Sequence, residues 1–312
     1  MTDSAKQSLV RDPLLNGKAA LMENGTSEAT LTEFSGQQEP KLLDACEDNY
    51  DGVTVELDNV PLDVDGFVSS LRVSLSKWAE QGKKGVWIKV PKNHAKVVPA
   101  VIEEGFWYHH AERDYVMMVY WIHKSPCTLP ANASHQVGVG GFVMNDNREL
   151  LVVQEKYGRY RDSGIWKWPT GLLYQGEDIF IGAIREVKEE TGIDTEFVEV
   201  GGIRHCHHAP FKKSDLCFMC ILRPLSFDIK MQESEIAAAR WMPIEEFARQ
   251  PRYQDNELYK KILDVCIASS EKRCKGFCAV KLASNSAVPP SVFYYNVQDM
   301  NGLNSLNGEI TL

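Results

Sequence analysis

The stretch GLLYQGEDIFIGAIREVKEETGI, residues 171–193, decides how the rest of the chain is read. It runs from a glycine-bounded loop into a helix with one acidic face. At about 100° per residue, Glu186, Glu189 and Glu190 fall within roughly 100° of arc. Gly182 lies on that same side. Phe180, Ile184, Val187 and Thr191 gather on the opposite side, which faces a core. Like charges three and four residues apart weaken a helix by repulsion. A helix that concentrates them either has a solvated face or binds a cation. Hard divalent ions such as Mg²⁺ take carboxylate oxygens and are shared with substrate phosphates.

The totals limit what surrounds this stretch. The chain has 312 residues, 44% hydrophobic and 25% charged, as expected of a globular protein with two domains or one large one with tails. A net charge of −9 argues against a nucleic-acid binder, which needs a basic footprint. The same charge is a difficulty for an enzyme with an anionic substrate, and a bound cation would offset it locally. The opening MTDSAKQSLVRDPLL lacks a basic region followed by an apolar core. There is no apolar run of about 18 residues, so no membrane span is expected. The eight cysteines are read as reduced, in a cytoplasmic setting.

Residues 1–45 are polar and without period, and are expected to be disordered. Residues 46–124 read as a small α/β domain. GVTVEL (52–57) alternates as a strand. Val64, Phe67, Val68, Leu71, Leu75 and Trp78 recur at helical spacing up to Gly82. KGVWIKV (84–90) is a strand, Val97 to Ile102 suit a second helix, and DYVMMVYWI (114–122) is a buried strand. Pro99 requires a kink or a late start in that second helix. His109 and His110 are adjacent in an extended or turn segment, so their rings are expected on opposite sides. Residues 125–134, with two prolines, form a linker. Residues 135–270 hold the stretch quoted first. VGVGGFVMN (137–145) and ELLVVQEK (149–156) are expected to pair as a hairpin across Asp146-Asn147. TEFVEVGGIRHCHH (195–208) and DLCFMCILRPL (215–225) read as strands. A short helix follows Pro243, and ELYKKILDVCIAS (257–269) is amphipathic. The tail, 271–312, is expected to be mostly flexible, with GFCAVKL and SVFYYNV as short strands.

The complete spacing of residues 171–193 is G-x5-E-x7-R-E-U-x-E-E-x-G-U, with U apolar, and it matches the Nudix box at nine defined positions. The chain thus resembles the Nudix hydrolase family over residues 135–270. The resemblance implies a mixed α/β fold, an α/β/α sandwich, here preceded by a small α/β domain. The order of that first domain is similar to the acetyltransferase-like half-domain that precedes some Nudix domains. It has no glycine-rich pyrophosphate loop, so packing or dimerisation, as in a homodimer, is its expected role.

What the resemblance implies about chemistry is metal-dependent hydrolysis of a nucleoside diphosphate linked to another group. Glu186, Glu189 and Glu190 would be the ligands of Mg²⁺ or Mn²⁺. Arg185 and Glu177 would form a bracing ion pair. Glu235, or a box glutamate instead, would be the general base; an exposed acidic turn is the alternative reading of Glu235. Trp166 and Trp168 either pack on a base or belong to the core. Arg204 and His207 either contact substrate or sit in a solvated basic stretch with His205, His208, Lys212 and Lys213. Cys217 and Cys220 are placed on opposite faces of a strand, which speaks against zinc. YHHAERDYVMMVYWI, LPANASHQVGVGGFV, VVQEK, WKWPTG and RWMPIEEF look like the plant ADP-ribose and NADH pyrophosphatase group. The expected partner is therefore a nucleotide small molecule, with coenzyme A or another dinucleotide, or silent nucleotide sensing, as alternatives. Two departures stand out: Thr170 precedes Gly171 where many boxes have a second glycine, and the Ser-Gln-Pro-Trp signature of one bacterial NADH pyrophosphatase class is absent. Pro210, by contrast, lies where ADP-ribose enzymes carry a proline, which favours ADP-ribose.

Overall fold

The computed structural model describes residues 41–57, 63–158, 160–207, 209–282 and 291–297. The expected disorder of residues 1–40 and the far tail lies outside these residues, as does His208. The chain divides into two compact units, residues 1–129 and 130–312.

The first unit contains β1 (Cys46–Glu47), β2 (Val53–Glu56), α1 (Val64–Glu80), β3 (Gly85–Pro91), α2 (Val98–Glu103), β4 (Trp107–Ala111) and β5 (Tyr115–Trp121). Their sheet runs β1-β2-β3-β5-β4, with only the β2–β3 pair parallel. Asp63 starts α1 by accepting a hydrogen bond from Gly66 N–H at 2.9 Å. Phe67, Leu71 and Trp78 recur on its buried face and meet Val86, Ile88 and Met118. Pro99 sits in the first turn of α2, where its missing N–H costs nothing, so the helix starts late.

One expectation here is corrected. The segment around His109 and His110 is a strand, β4, and a bulge interrupts its pairing with β5 between Tyr108 and His110. A bulge breaks strand alternation. The two Nδ1 atoms therefore lie 2.7 Å apart instead of on opposite sides.

The second unit contains β6 (His135–Val143), β7 (Glu149–Glu155), β8 (Thr170–Leu172), α3 (Ile179–Thr191), β9 (Thr195–Cys206), β10 (Ser214–Pro224), β11 (Ile236–Pro243), α4 (Ile244–Ala248), α5 (Pro251–Gln254), α6 (Glu257–Ser270), β12 (Cys278–Leu282) and β13 (Ser291–Tyr295). A four-stranded sheet has the order β8-β6-β10-β9, and β7 pairs with β11 in a second ladder. The expected β6–β7 hairpin is not formed. Both edges of β6 are taken, by β8 antiparallel and by β10 parallel. Arg148, at a positive φ of 60°, turns the chain away after a single bridge between Met144 and Leu150.

This rearrangement buries Leu150 to Val153 on both faces. Leu151 joins Val139, Val187 and Val200 under α3. Leu150 and Val152 join Phe142, Phe247 and Leu263 on the α6 side. The unit is an α/β/α sandwich, as expected. On β10, Cys220 faces α3 and Cys217 faces α6. Burial pushes the Cys217 thiol up to about 12. Phe277 bridges β9 at Val200, which ties the β12–β13 ladder to this unit. Among the described residues no helix is long and apolar enough to cross a membrane.

Candidate active site

The site is built on α3. Ala183, Val187 and Thr191 anchor one face, and Gly192 at φ 75° ends the helix by donating to Lys188 O. Phe180 and Ile184 are only half-buried, so the core stripe is rotated toward Ala183 relative to the sequence reading. Glu186 and Glu190 are consequently turned inward, with 14% of the Glu186 side chain and 6% of Glu190 exposed. Glu189 is 45% exposed at the side chain.

Arg185 organises the loop. Its Nε donates to Glu177 Oε1 at 2.7 Å and one terminal nitrogen donates to Glu177 Oε2 at 2.8 Å. The other terminal nitrogen reaches Glu186 at 2.7 Å and Glu189 at 2.9 Å. The guanidinium also lies over the Tyr174 ring at 4.0 Å. Hydrogen bonding from Arg185 holds the Glu177 carboxyl below the usual range despite its burial, and Arg185 is raised in turn. Gly171 is required by contact: a Cβ there would lie 2.0 Å from Glu186 carboxylate atoms.

Glu190 lies deepest. Its Oε2 is buried with no hydrogen-bond partner. Burial pushes its pKa up to about 8, opposed by Lys167 and reinforced by Glu186, Glu155 and Glu235. The fold thus gathers acids from two elements, α3 and β7, and a turn. Glu235 stands in the turn before β11, close enough to act on Glu190, and its carbonyl accepts from Lys156 N–H at 2.8 Å. Its side chain is exposed.

Glu155 and Lys167 were not singled out by sequence reasoning. Glu155 is the last residue of the apolar strand β7, and an acid closing such a strand is the signal that marks it. Lys167 Nζ lies 2.6 Å from Glu155 and donates to Thr170 Oγ1 at 2.8 Å. The threonine that replaces a second glycine therefore holds a lysine in place.

A cavity of about 300 Å³ adjoins this centre, lined by Glu155, Lys167, Gly171, Trp168, Arg204 and Arg252 among others. Trp168 is buried against Phe142, Phe247 and Tyr253 and forms part of its floor. Trp166 packs instead, its backbone N–H donating to Gln250 Oε1 at 2.8 Å and its ring lying under Arg240 at 4.9 Å. Arg204 is on the cavity side of β9. His207, three residues on, belongs to the other face by strand alternation. Its Nδ1 lies 2.9 Å from Ser214 Oγ, its ring meets that of His205 edge to face, and it is not among the residues lining the cavity.

No ion is needed to see what the donor set suits. The converging groups are carboxylate oxygens, one buried and unpartnered, and such sets fit hard divalent cations. Among the described residues, no three His, Cys, Asp or Glu side chains stand together as a coordinating group, and Arg185 hydrogen-bonds Glu186 and Glu189. Comparison with known proteins agrees with this architecture. Residues 43–122 match the family model described as Nudix hydrolase domain, and residues 134–264 that described as NUDIX domain. Nudix hydrolase 8 of Arabidopsis thaliana is 51% identical over 278 residues, 88% of this chain and 75% of that protein. Nudix hydrolase 2 of the same plant is 49% identical over 278 residues, 89% of this chain and 99% of that one. The human nucleoside diphosphate-linked moiety X motif 6 is 37% identical over 209 residues, 65% of each chain. A sandwich with an acidic, arginine-braced helix is the frame of a pyrophosphate-cleaving hydrolase, and the chain belongs to the Nudix hydrolase family. Nudix hydrolases act on nucleotide small molecules and generally use divalent metal ions.

Proposed function

We propose that this chain hydrolyses the pyrophosphate bond of nucleoside diphosphate derivatives, with ADP-ribose, NADH or both as substrates. The products are AMP plus ribose 5-phosphate, or AMP plus reduced nicotinamide mononucleotide. The observation that carries the reading is the buried, unpartnered Glu190 oxygen set among Glu186, Glu155 and Glu235. Such a gathering of like charges is stable only when a proton or a cation neutralises it.

Glu186 and Glu190 would hold Mg²⁺ or Mn²⁺, with Glu189 completing the set. The bound ion would offset phosphate charge and lower the pKa of water. The chain's own groups do the rest. Glu177 fixes Arg185, which orients Glu186 and Glu189. Lys167, tied to Thr170 and Glu155, places a positive charge in the cavity wall for phosphate oxygens. Glu235 is the proton acceptor for the attacking water, and Glu155 its nearest alternative. Trp168 closes the cavity floor and excludes water. A cytoplasmic working place and a homodimeric state complete the proposal.

The test is product analysis with Mg²⁺ on ADP-ribose, NADH, NAD⁺, coenzyme A and capped RNA, repeated with Glu186→Gln. Turnover of the first two, lost in the variant, is expected. Turnover that survives Glu186→Gln would sink the metal assignment, and turnover of none would favour nucleotide sensing.

A further inference from the structure

The cavity wall carries a feature that the hydrolytic reading does not use. The Arg252 guanidinium lies 4.0 Å from the Tyr259 ring centroid and 4.4 Å from that of Tyr160. Arg204 lies 5.8 Å from the same Tyr259 ring. All four residues line the cavity beside the acidic centre. Aromatic contact fixes the plane of Arg252 and engages its faces. What remains for a ligand is the row of N–H donors on its edge. The Nε atoms of both Arg204 and Arg252 are buried with no hydrogen-bond partner. Buried donors are almost always satisfied, and a pair left over on one cavity wall marks the place of a missing acceptor.

Charge narrows the acceptor. Lys167, Arg204 and Arg252 line a cavity of about 300 Å³ in a chain of net charge −9. Of the acids in the same wall, Glu155 is paired with Lys167, and Asp215 meets Gln136 at 3.5 Å. The volume is at the small end of ligand sites, enough for one nucleotide half. Phosphate offers acceptors only and matches a guanidinium edge in two parallel hydrogen bonds.

We propose that Arg252, held by Tyr160 and Tyr259, forms with Arg204 a phosphate-oxygen subsite that decides which nucleotides this chain takes. The inference rests on the hydrolytic reading for the identity of the nucleotide. Two phosphates could supply the oxygens: the substrate's own pyrophosphate, or an additional phosphate on a ribose.

The experiment uses the full chain with Mg²⁺ and the variants Arg252→Gln, Arg252→Lys and Arg204→Gln. It reads kcat and KM separately for ADP-ribose, NADH and NADPH. The glutamine variants are expected to raise KM about ten- to a hundred-fold, the worth of a hydrogen bond to a charged group, and to lower kcat as well where the oxygens belong to the reacting pyrophosphate. Arg252→Lys is expected not to rescue, since lysine lacks the planar fork. Equal penalties on NADH and NADPH place the pyrophosphate there, and a larger penalty on NADPH places a ribose phosphate. Unchanged KM in both glutamine variants overturns the subsite. A second readout needs no variant to fold: AMP, without metal, is expected to protect Arg204 and Arg252 of the unaltered protein from phenylglyoxal, read by mass spectrometry. Absence of protection also overturns the proposal. Protection by AMP in a protein that hydrolyses none of the substrates would retain the subsite and overturn the hydrolase reading instead.

Discussion

Gly171 and Glu186 touch so closely that neither can change alone. A Cβ at residue 171 would overlap the carboxylate, and the displaced Glu186 would also lose its hold on Arg185. Gly171→Ala is therefore expected to lower kcat/KM by about 10–100-fold, the scale for disturbing groups that orient metal ligands. The effect should appear as weaker Mg²⁺ activation in a titration, with little loss of secondary structure by circular dichroism. Glu190 makes a different prediction. Its folded-state value near 8 lies above the ordinary 4.5, so the folded protein binds this proton more tightly than the unfolded chain. The stabilisation is fully present below about 4.5 and is lost as the pH rises through about 8. In metal-free protein the urea midpoint should fall across that window by the equivalent of a few kcal/mol at most, on the order set by the shift. Glu190→Gln should flatten the slope, and saturating Mg²⁺ should remove it in the unaltered protein. A metal-free midpoint that rises with pH would contradict the environment described for Glu190.

At the scale of the element, α3 has no side-chain cap of its own, since Asp178 makes no capping bond. The Tyr294 hydroxyl on β13 accepts from Phe180 N–H at 3.3 Å instead. Tyr294→Phe removes that acceptor and is expected to cost about 1 kcal/mol, the usual worth of a cap. It should lower Tm by about 2–4 °C in a unit of this size, measured by calorimetry. The secondary structure of α3 was legible from residues 171–193 because its charges and apolar residues follow one period. Its cap was not, since a hydroxyl more than a hundred residues away supplies it. The same limit explains the β6–β7 hairpin. Two apolar strands around Asp146-Asn147 satisfy the local rules for a hairpin, but β8 and β10 outcompete β7 for the edges of β6. The strand at Trp107–Ala111 was hidden by its histidines, because a bulge there cancels the alternation that reveals strands.

For the molecule as a whole, the hydrolase family was legible and the cavity beside α3 was not. Glu177, Arg185, Glu186, Glu189 and Glu190 share one short stretch, so spacing alone groups them. Glu155, Lys167, Arg204 and Arg252 come from separate elements, and only the tertiary fold assembles them. Each unit has a core drawn wholly from its own residues. A fragment of residues 41–129 is accordingly expected to melt cooperatively by itself. A broad, non-cooperative melt of that fragment would count against an independent core.

The parallel pairing of β6 with β10 bears on how the protein is made. Gln136 faces Asp215 across that ladder, 79 residues later in the chain. While a ribosome adds about 5–20 residues per second, β6 leaves the exit tunnel seconds before its partner exists. β8 can pair with β6 earlier, but Val139, Phe142 and Val143 wait through that interval without their β10 neighbours. The nascent chain, rather than the finished enzyme, is where this architecture is most exposed to chaperones and to aggregation.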